Sequence, residues 1–219
     1  MKKNFVYFVL FFLISCNTGE EPCFVYRNCI GEFEGRFCTY GLKFGDNFNY
    51  RGFGVDAGGP ATSGRVVTYS FQTSGFYPTQ NFGDFESRPF DEIGPFAQDQ
   101  ITKALEEWAS HIDLTFEKTE DQENSDLKIV CANINDKAGI GWLRCLNDSC
   151  TKPEGFVFFK NEPLNEDNFY SLALHEIGHV IGLCHSNSSN IMSHSGTSYN
   201  FTQLQAGDIE GAISIYGPK

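Results

Sequence analysis

The chain has 219 residues, of which 41% are hydrophobic and 15% are aromatic, so it can bury one substantial core and has little room for two. The formal net charge of −12 at pH 7, with no Lys/Arg cluster after the N-terminus, argues against nucleic acid as a partner. Nothing after residue 16 is long and apolar enough to span a bilayer as a helix. We therefore expect one domain with an N-terminal appendage.

The N-terminus has the pattern of an export signal over residues 1–15. Lys2 and Lys3 precede an apolar run from Phe5 to Ile14, which is too short to span a membrane. The end of this run, "LISC", resembles the lipobox of bacterial lipoproteins, which implies a lipid on Cys16 and attachment to the cell envelope, at the outer membrane or cell surface. The alternative is an ordinary signal peptide, with Cys16 removed or paired.

Residues 16–64 are predicted to be a lipid-anchored linker or pro-segment, because they are rich in Gly, Phe and Asn and show no sustained period. Besides Cys16 the chain has seven cysteines, and in an exported protein they can form disulfides. Because seven is odd, at least one stays unpaired; the seven are Cys23, Cys29, Cys38, Cys131, Cys145, Cys150 and Cys184.

The domain is expected to span residues 65–219 and to begin with a strand, "RVVTYSF". A turn-rich stretch with Pro78 and Pro89 leads to a helix over 96–112, whose apolar stripe consists of Ile101, Leu105, Trp108 and Ile112. Two short strands follow, at 113–118 and 126–132.

Two more strands are predicted at 139–145 and 155–160, and a Cys145–Cys150 bridge could close the loop between them. A second helix should begin near 165–168 and run to Gly182. The last helix shows a capping box at Thr202 and Gln205, an apolar face and a Gly-Pro stop; these are Ile209, Ile213, Tyr216, Gly217 and Pro218.

The second helix carries the residues that indicate chemistry. His175 and His179 are four apart, so both imidazoles lie on one helical face and can bind one zinc ion. Glu176 lies about 100° around the helix, where its carboxylate can act as general base toward a metal-activated water. Gly182 can reverse the chain and return His185 as third ligand, which leaves a fourth position open for catalysis.

The full string His175-Glu176-x-x-His179-x-x-Gly182-x-x-His185, followed by Met192 in "NIMSHSG", resembles the signature of the metzincin metalloproteases. The order of the surrounding segments is similar to the matrixin and serralysin catalytic domain over residues 65–217. This resemblance implies a secreted zinc metalloendopeptidase with an α+β, zincin-like fold. Such a fold has a twisted, mixed five-stranded sheet, two long helices and a small C-terminal subdomain that ends in a helix.

The same resemblance implies a polypeptide substrate that lies antiparallel to an edge strand. By order in the chain, that strand is formed by Gly139, Ile140, Gly141, Trp142, Leu143 and Arg144. The segment "ANINDKAGIGW" has no histidine, so one catalytic zinc is expected and no second one. A structural calcium would suit the family, but no motif supports it. The protein is expected to be a monomer.

Three further residues have two interpretations each. His194 is a fifth zinc ligand or transition-state hydrogen-bond donor, or else a surface histidine. Cys38 is a latency switch that blocks the zinc, or a disulfide partner of Cys23 or Cys29. Cys184 pairs with another cysteine such as Cys131, or is a buried thiol.

Two functions of other classes compete with the protease. A lipoprotein could keep the fold as a protein-binding or adhesion module and cut nothing, but such a module has no need of the carboxylate of Glu176. Zinc storage or sensing is the third hypothesis, and a single cluster with an open position argues against it.

Overall fold

The computed structural model describes residues 44, 65–79, 83–134, 137–145, 153–186, 189–193 and 201–219. The predicted export signal, Cys16, Cys38, Cys150 and His194 lie outside these residues. Within the described ranges, no helix combines the length and the apolar character needed to cross a bilayer.

A five-stranded sheet forms the centre of the fold. In chain order its strands are β1 (Arg65–Gln72), β4 (Leu114–Lys118), β5 (Leu127–Ala132), β6 (Gly139–Cys145) and β7 (Pro153–Lys160). The spatial order is β4-β1-β5-β7-β6, and only β6 runs antiparallel to its neighbour. The predicted α+β fold with a mixed five-stranded sheet is therefore confirmed, and β6 lies at one end of that sheet.

A two-stranded hairpin accounts for the stretch predicted only as turn-rich. It consists of β2 (Phe76–Thr79) and β3 (Gly83–Glu86), which pair antiparallel with Pro78 opposite Asp84. Proline is tolerated in such a short, two-stranded unit because no strand on its other side requires its missing N–H. A short 3₁₀ turn (Phe90–Glu92) then leads to the first helix.

Helix α1 (Ala97–His111) buries the predicted stripe completely, since Ile101, Leu105, Trp108 and Ile112 are at most 1% exposed. Helix α2 (Glu166–Val180) begins at Asn165, whose side chain accepts a hydrogen bond from the backbone N–H of Asn168 at 2.8 Å. Every residue of α2 from Phe169 onward is buried, so the helix runs through the core rather than along the surface.

Helix α3 (Ala206–Tyr216) begins four residues later than the Thr202 cap predicted for it. The residue before the helix is Gln205, and the carboxylate of Asp208 accepts from the backbone N–H of Gln205 at 2.9 Å. The predicted Thr202–Gln205 box is thus wrong, because the same carboxylate also binds a distant loop and holds the helix start at Gln205. Gly217 ends the helix with a φ of 80°, as predicted.

The two faces of the sheet have separate apolar clusters, and β7 shows the division by alternation. Val157 and Phe159 point toward the three helices, whereas Phe156 and Phe158 point to the opposite side, where Tyr77 and Phe85 of the hairpin cover them. Helix α2 packs between α1 and β6, so one side of this helix faces the core and the other faces the edge strand.

Phe44 also belongs to the helix-side cluster and is fully buried. It lies within the stretch that the composition predicts to be a linker or pro-segment. At least this residue of the stretch is part of the packed core of the domain.

Candidate metal centre and active site

Helix α2 positions two of the three candidate ligands. His175 and His179 are one turn apart and 8% and 7% exposed, and their rings meet edge to face with centroids 4.7 Å apart. The Nδ1 of His175 donates to the carbonyl of Ile191 at 2.6 Å, and the Nδ1 of His179 donates to the carbonyl of Leu183 at 2.8 Å. A carbonyl only accepts, so both rings carry their proton on Nδ1 and present a bare Nε2.

The chain reverses after α2 and brings the third histidine back. Gly182 has a φ of 108°, which residues with a side chain rarely adopt, and the predicted reversal at this glycine is confirmed. The N–H of Gly182 donates to the carbonyl of His179 at 3.0 Å, and that of Leu183 donates to Gly178 at 2.9 Å. These bonds close the helix end and leave His185 facing the pair on α2, with its side chain exposed.

The three Nε2 atoms form a triangle whose sides are 3.1, 3.1 and 3.2 Å. Tetrahedral zinc with Zn–N bonds of about 2.0–2.1 Å separates its ligand nitrogens by roughly 3.3–3.4 Å. The triangle therefore fits one zinc ion held by His175, His179 and His185. Among the described residues, no other group of three or more His, Cys, Asp or Glu side chains has such a spacing.

Burial keeps the imidazoles on α2 neutral, which is the protonation state that a metal requires. Burial lowers the pKa of His175, although its hydrogen bond to Ile191 acts in the opposite direction. Burial lowers the pKa of His179 further, and the neighbouring His175 and His185 add to the effect. Neutral rings with Nδ1 already bound can accept a cation without losing a proton first.

The side chain of Glu176 extends from α2 toward the edge strand β6, and the residue is 6% exposed. A Cβ on Gly139 would lie 2.7 Å from its Cγ and 2.8 Å from its Oε1, so the carboxylate occupies the space of a missing side chain. A Cβ on Gly141 would overlap the carbonyl oxygen of Glu176, which shows how closely strand and helix approach. The two glycines thus allow the carboxylate to reach the edge strand.

Burial raises the pKa of Glu176 to about 8. A hydrogen bond from the backbone N–H of Gly141 and the positive charge of Lys137 both act against this rise. Lys137 is exposed and just precedes β6, and it was not among the residues predicted from the sequence. A carboxylate that binds a proton near neutral pH is suited to both accepting and returning one.

Met192 lies under the helix, on the side away from β6, and is 2% exposed. A Cβ on Gly178 would overlap its Sδ, so the sulfur packs directly against the backbone of α2. The loop around Met192 is hydrogen-bonded to Ser186, the residue after His185. The N–H of Ser186 donates to the carbonyl of Met192 at 2.8 Å. The loop and the turn that carries His185 are therefore one connected unit.

Asp208 supports this loop, and sequence reasoning missed it. Its two carboxylate oxygens accept from the backbone N–H groups of Ile191 at 3.0 Å and Met192 at 3.1 Å. Burial raises the pKa of Asp208, while the hydrogen bonds from Gln205, Ile191 and Met192 oppose the rise. The only sequence signal was a carboxylate among small and apolar residues in "AGDIEGA", which does not indicate a partner.

Trp108 of α1 supports α2 from the other side. Its indole N–H donates to the carbonyl of Leu174 at 3.0 Å, and its ring lies near Gly178. The apolar stripe of α1 indicated that this ring is buried. It did not indicate that the indole holds the turn of α2 just before His175.

Cys131 and Cys184 do not form a disulfide with each other. Cys131 is a buried free thiol on β5, so the pairing of Cys131 with Cys184 is wrong. Burial raises the pKa of this thiol to about 12. Cys184 is buried beside His185. Strand β6 ends at Cys145, and Cys150 lies outside the described residues, so the bridge predicted between them stays a prediction.

Three histidines around a zinc-sized space, with a carboxylate next to them on the same helix, are typical of zinc-dependent hydrolases. Residues 148–217 match the model of the Matrixin family, Peptidase M10. This match contains α2, all three histidines, Glu176, Met192 and α3. No curated protein matches the chain. The family match and the histidine triad together support a metzincin-type zinc metalloprotease domain.

Proposed function

We propose that the protein is a zinc-dependent endopeptidase that hydrolyses peptide bonds of extracellular or envelope proteins. The observation that carries this proposal is the triangle of bare Nε2 atoms beside the buried carboxylate of Glu176. The family match supports the protease class, and the polypeptide substrate follows from that class.

The histidines, Glu176 and strand β6 have separate roles in the proposed reaction. Zinc bound by the three histidines would polarise the scissile carbonyl and lower the pKa of a water molecule. Glu176 takes the proton from the attacking water and passes it to the leaving nitrogen. The backbone of β6, from Gly139 to Arg144, binds the substrate as an added antiparallel strand. The N–H of Gly141 donates a hydrogen bond to the carboxylate of Glu176 and so holds it beside this strand.

The first experiment compares the zinc-loaded chain lacking residues 1–16 with its Glu176→Gln variant on an unfolded protein substrate. Zinc content is measured by atomic absorption, and cleavage is followed by mass spectrometry, with and without a chelator. We expect equal zinc content, cleavage by the parent only, and no cleavage after chelation. Cleavage by the variant at the parent's rate would overturn the role of Glu176.

A second variant tests the position of the carboxylate without removing it. Gly139→Ala should push Glu176 aside while the three histidines stay in place, so kcat should fall by roughly 10–100-fold, because misplacement by about 1 Å has costs of that order. Zinc content should not change. Gly94→Ala is the matched control, since its Cβ would approach a neighbour equally closely, at 2.7 Å, but that neighbour is the ring of Phe96 rather than the carboxylate. Equal kcat for both variants would show that the space at Gly139 is not needed for catalysis.

The same assay separates the protease from the alternative, a catalytically silent lipoprotein that uses the fold as a protein-binding or adhesion module. A zinc-loaded parent that binds unfolded proteins and cleaves none of a broad panel would favour that module. The buried carboxyl group of Glu176 favours the protease, because burying a carboxyl group costs free energy and a binding surface gains nothing from it.

We propose further that the protein is a monomer attached to the cell envelope by lipid on Cys16. The support is the sequence alone, namely Lys2 and Lys3, the apolar run and the lipobox-like end. Incorporation of a labelled fatty acid into the full chain, and its loss in Cys16→Ser, would test the attachment. A Cys16→Ser variant that keeps the label would contradict it.

A further inference from the structure

Phe44 occupies a pocket at the end of the helix that carries the ligands. The pocket lies between β5, β7 and α2, and its walls include Leu127, Gly155 and Val180. A Cβ on Gly155 would lie 3.0 Å from the ring carbon Cζ of Phe44, 3.1 Å from Leu127 and 2.7 Å from Val180. The ring therefore fills space that exists because β7 has a glycine at this position.

The backbone of Phe44 is held as well as its ring. Its N–H donates to the hydroxyl of Tyr216 at 3.1 Å, and this bond is buried. Tyr216 is the last residue of α3 and is 1% exposed. Phe44 thus binds the end of α3 through Tyr216 and lies near the end of α2, where Val180 approaches the same position of Gly155.

These contacts are those of a core residue. Burying a phenylalanine ring contributes about as much as any single apolar side chain in a core, and a buried N–H without a partner would offset part of that gain. Here the ring is fully buried and the N–H is bound. A tether that only spans the distance between a lipid and a domain requires neither.

We propose that Phe44 docks onto the domain and is required for its stability, so that the folded unit includes Phe44 and does not begin at Arg65. Val180 is followed directly by the turn at Gly182 that leads to His185. Loss of the ring would leave a cavity behind this turn. Proteolytic processing that removed residue 44 would therefore destabilise the domain, and any removable pro-segment must end before it.

The test uses the chain lacking residues 1–16, free of metal, and does not depend on protease activity. Phe44→Ala should lower Tm by roughly 10 °C, because truncation of a buried Phe leaves a large cavity. The Tm of Phe44→Leu should lie between those of Phe44→Ala and the parent. This variant keeps the test possible if Phe44→Ala does not fold. Phe76→Ala is the matched control, since Phe76 is 63% exposed, and its Tm should stay within about 2 °C of the parent.

Hydrogen–deuterium exchange locates the effect. In Phe44→Leu, exchange should become faster at residues 177–185 and 212–217, where the two helices end, and stay unchanged in the hairpin at 76–86. A Tm of Phe44→Ala equal to that of Phe76→Ala would overturn the proposal. So would unchanged exchange at both helix ends in a destabilised Phe44→Leu variant.

Discussion

The metal centre has a helix half and a loop half, and the two are held in different ways. In the helix half, His175 and His179 are buried in α2, and each has its Nδ1 bound to a backbone carbonyl. In the loop half, His185 is exposed, and Met192 depends on the distant Asp208. The helix half is therefore fixed by burial and by two carbonyls of the segment after α2, whereas the loop half is held through Asp208 of α3.

This difference predicts how the two halves respond to substitution. Two of the three nitrogens belong to a buried helix, whereas the third belongs to the exposed His185. Substitutions in the helix half should lower both the stability of the fold and the affinity for zinc. Substitutions in the loop half should lower mainly the affinity for zinc.

The largest effect is expected from a comparison of His179→Ala with His185→Ala. Zinc affinity should fall in both variants, because each lacks a direct ligand. The loss should be well over the roughly 10–100-fold that follows when a residue hydrogen-bonded to a ligand is removed. Without metal, His179→Ala should be destabilised more than His185→Ala, by about 1–3 kcal/mol, because it leaves the buried carbonyl of Leu183 without this partner. Chelator competition and metal-free Tm measure the two effects. Equal metal-free Tm values for both variants would remove the distinction between the halves.

Asp208→Asn tests the support of the loop half. An amide offers one acceptor oxygen where the carboxylate uses two, so the N–H of Ile191 or Met192 would face an NH2 group. We expect a loss of about 1–3 kcal/mol in the free energy of unfolding, together with weaker zinc binding. Denaturant unfolding and chelator competition would measure both. Unchanged zinc affinity in a destabilised variant would show that Asp208 supports α3 alone.

Gly178→Ala should give the smallest effect, because the added methyl group overlaps mainly the flexible end of Met192, with the ring of Trp108 at 3.2 Å. Overpacking costs about 1–3 kcal/mol, and the higher helix propensity of alanine returns about 1 kcal/mol. The net loss should be about 1 kcal/mol, measured by denaturant unfolding. The double variant Gly178→Ala/Met192→Ala should lose less free energy of unfolding than the sum of the losses in the two single variants. Strict additivity would show that the two halves do not meet at this contact.

The sequence predicted the helix half well because its determinants are local. The spacing of His175 and His179 and the position of Glu176 depend only on the helical period, and Gly182 marks the end of that helix. The strand β6 was likewise predicted from residue type, with the same bounds as observed. The metal site that these residues form follows from a short string of sequence.

The supporting contacts could not be predicted because they join segments that are distant in sequence. The Thr202–Gln205 pair satisfies the local pattern of a capping box, but the bonds of Asp208 to Ile191 and Met192 determine where α3 begins. Pro78 suggested a turn, whereas it lies in a hairpin strand. The burial of Phe44 depends on a glycine in β7, and nothing near Phe44 in the chain indicates this.

The hydrogen bond from Trp108 to Leu174 also provides an optical probe. The chain has two tryptophans, and Trp142 packs against Phe156 on the sheet face away from the helices. A Trp142→Phe variant would therefore emit only from the indole that touches the helix bearing His175 and His179. Its fluorescence could follow the filling of the metal centre in real time, without a substrate or a label.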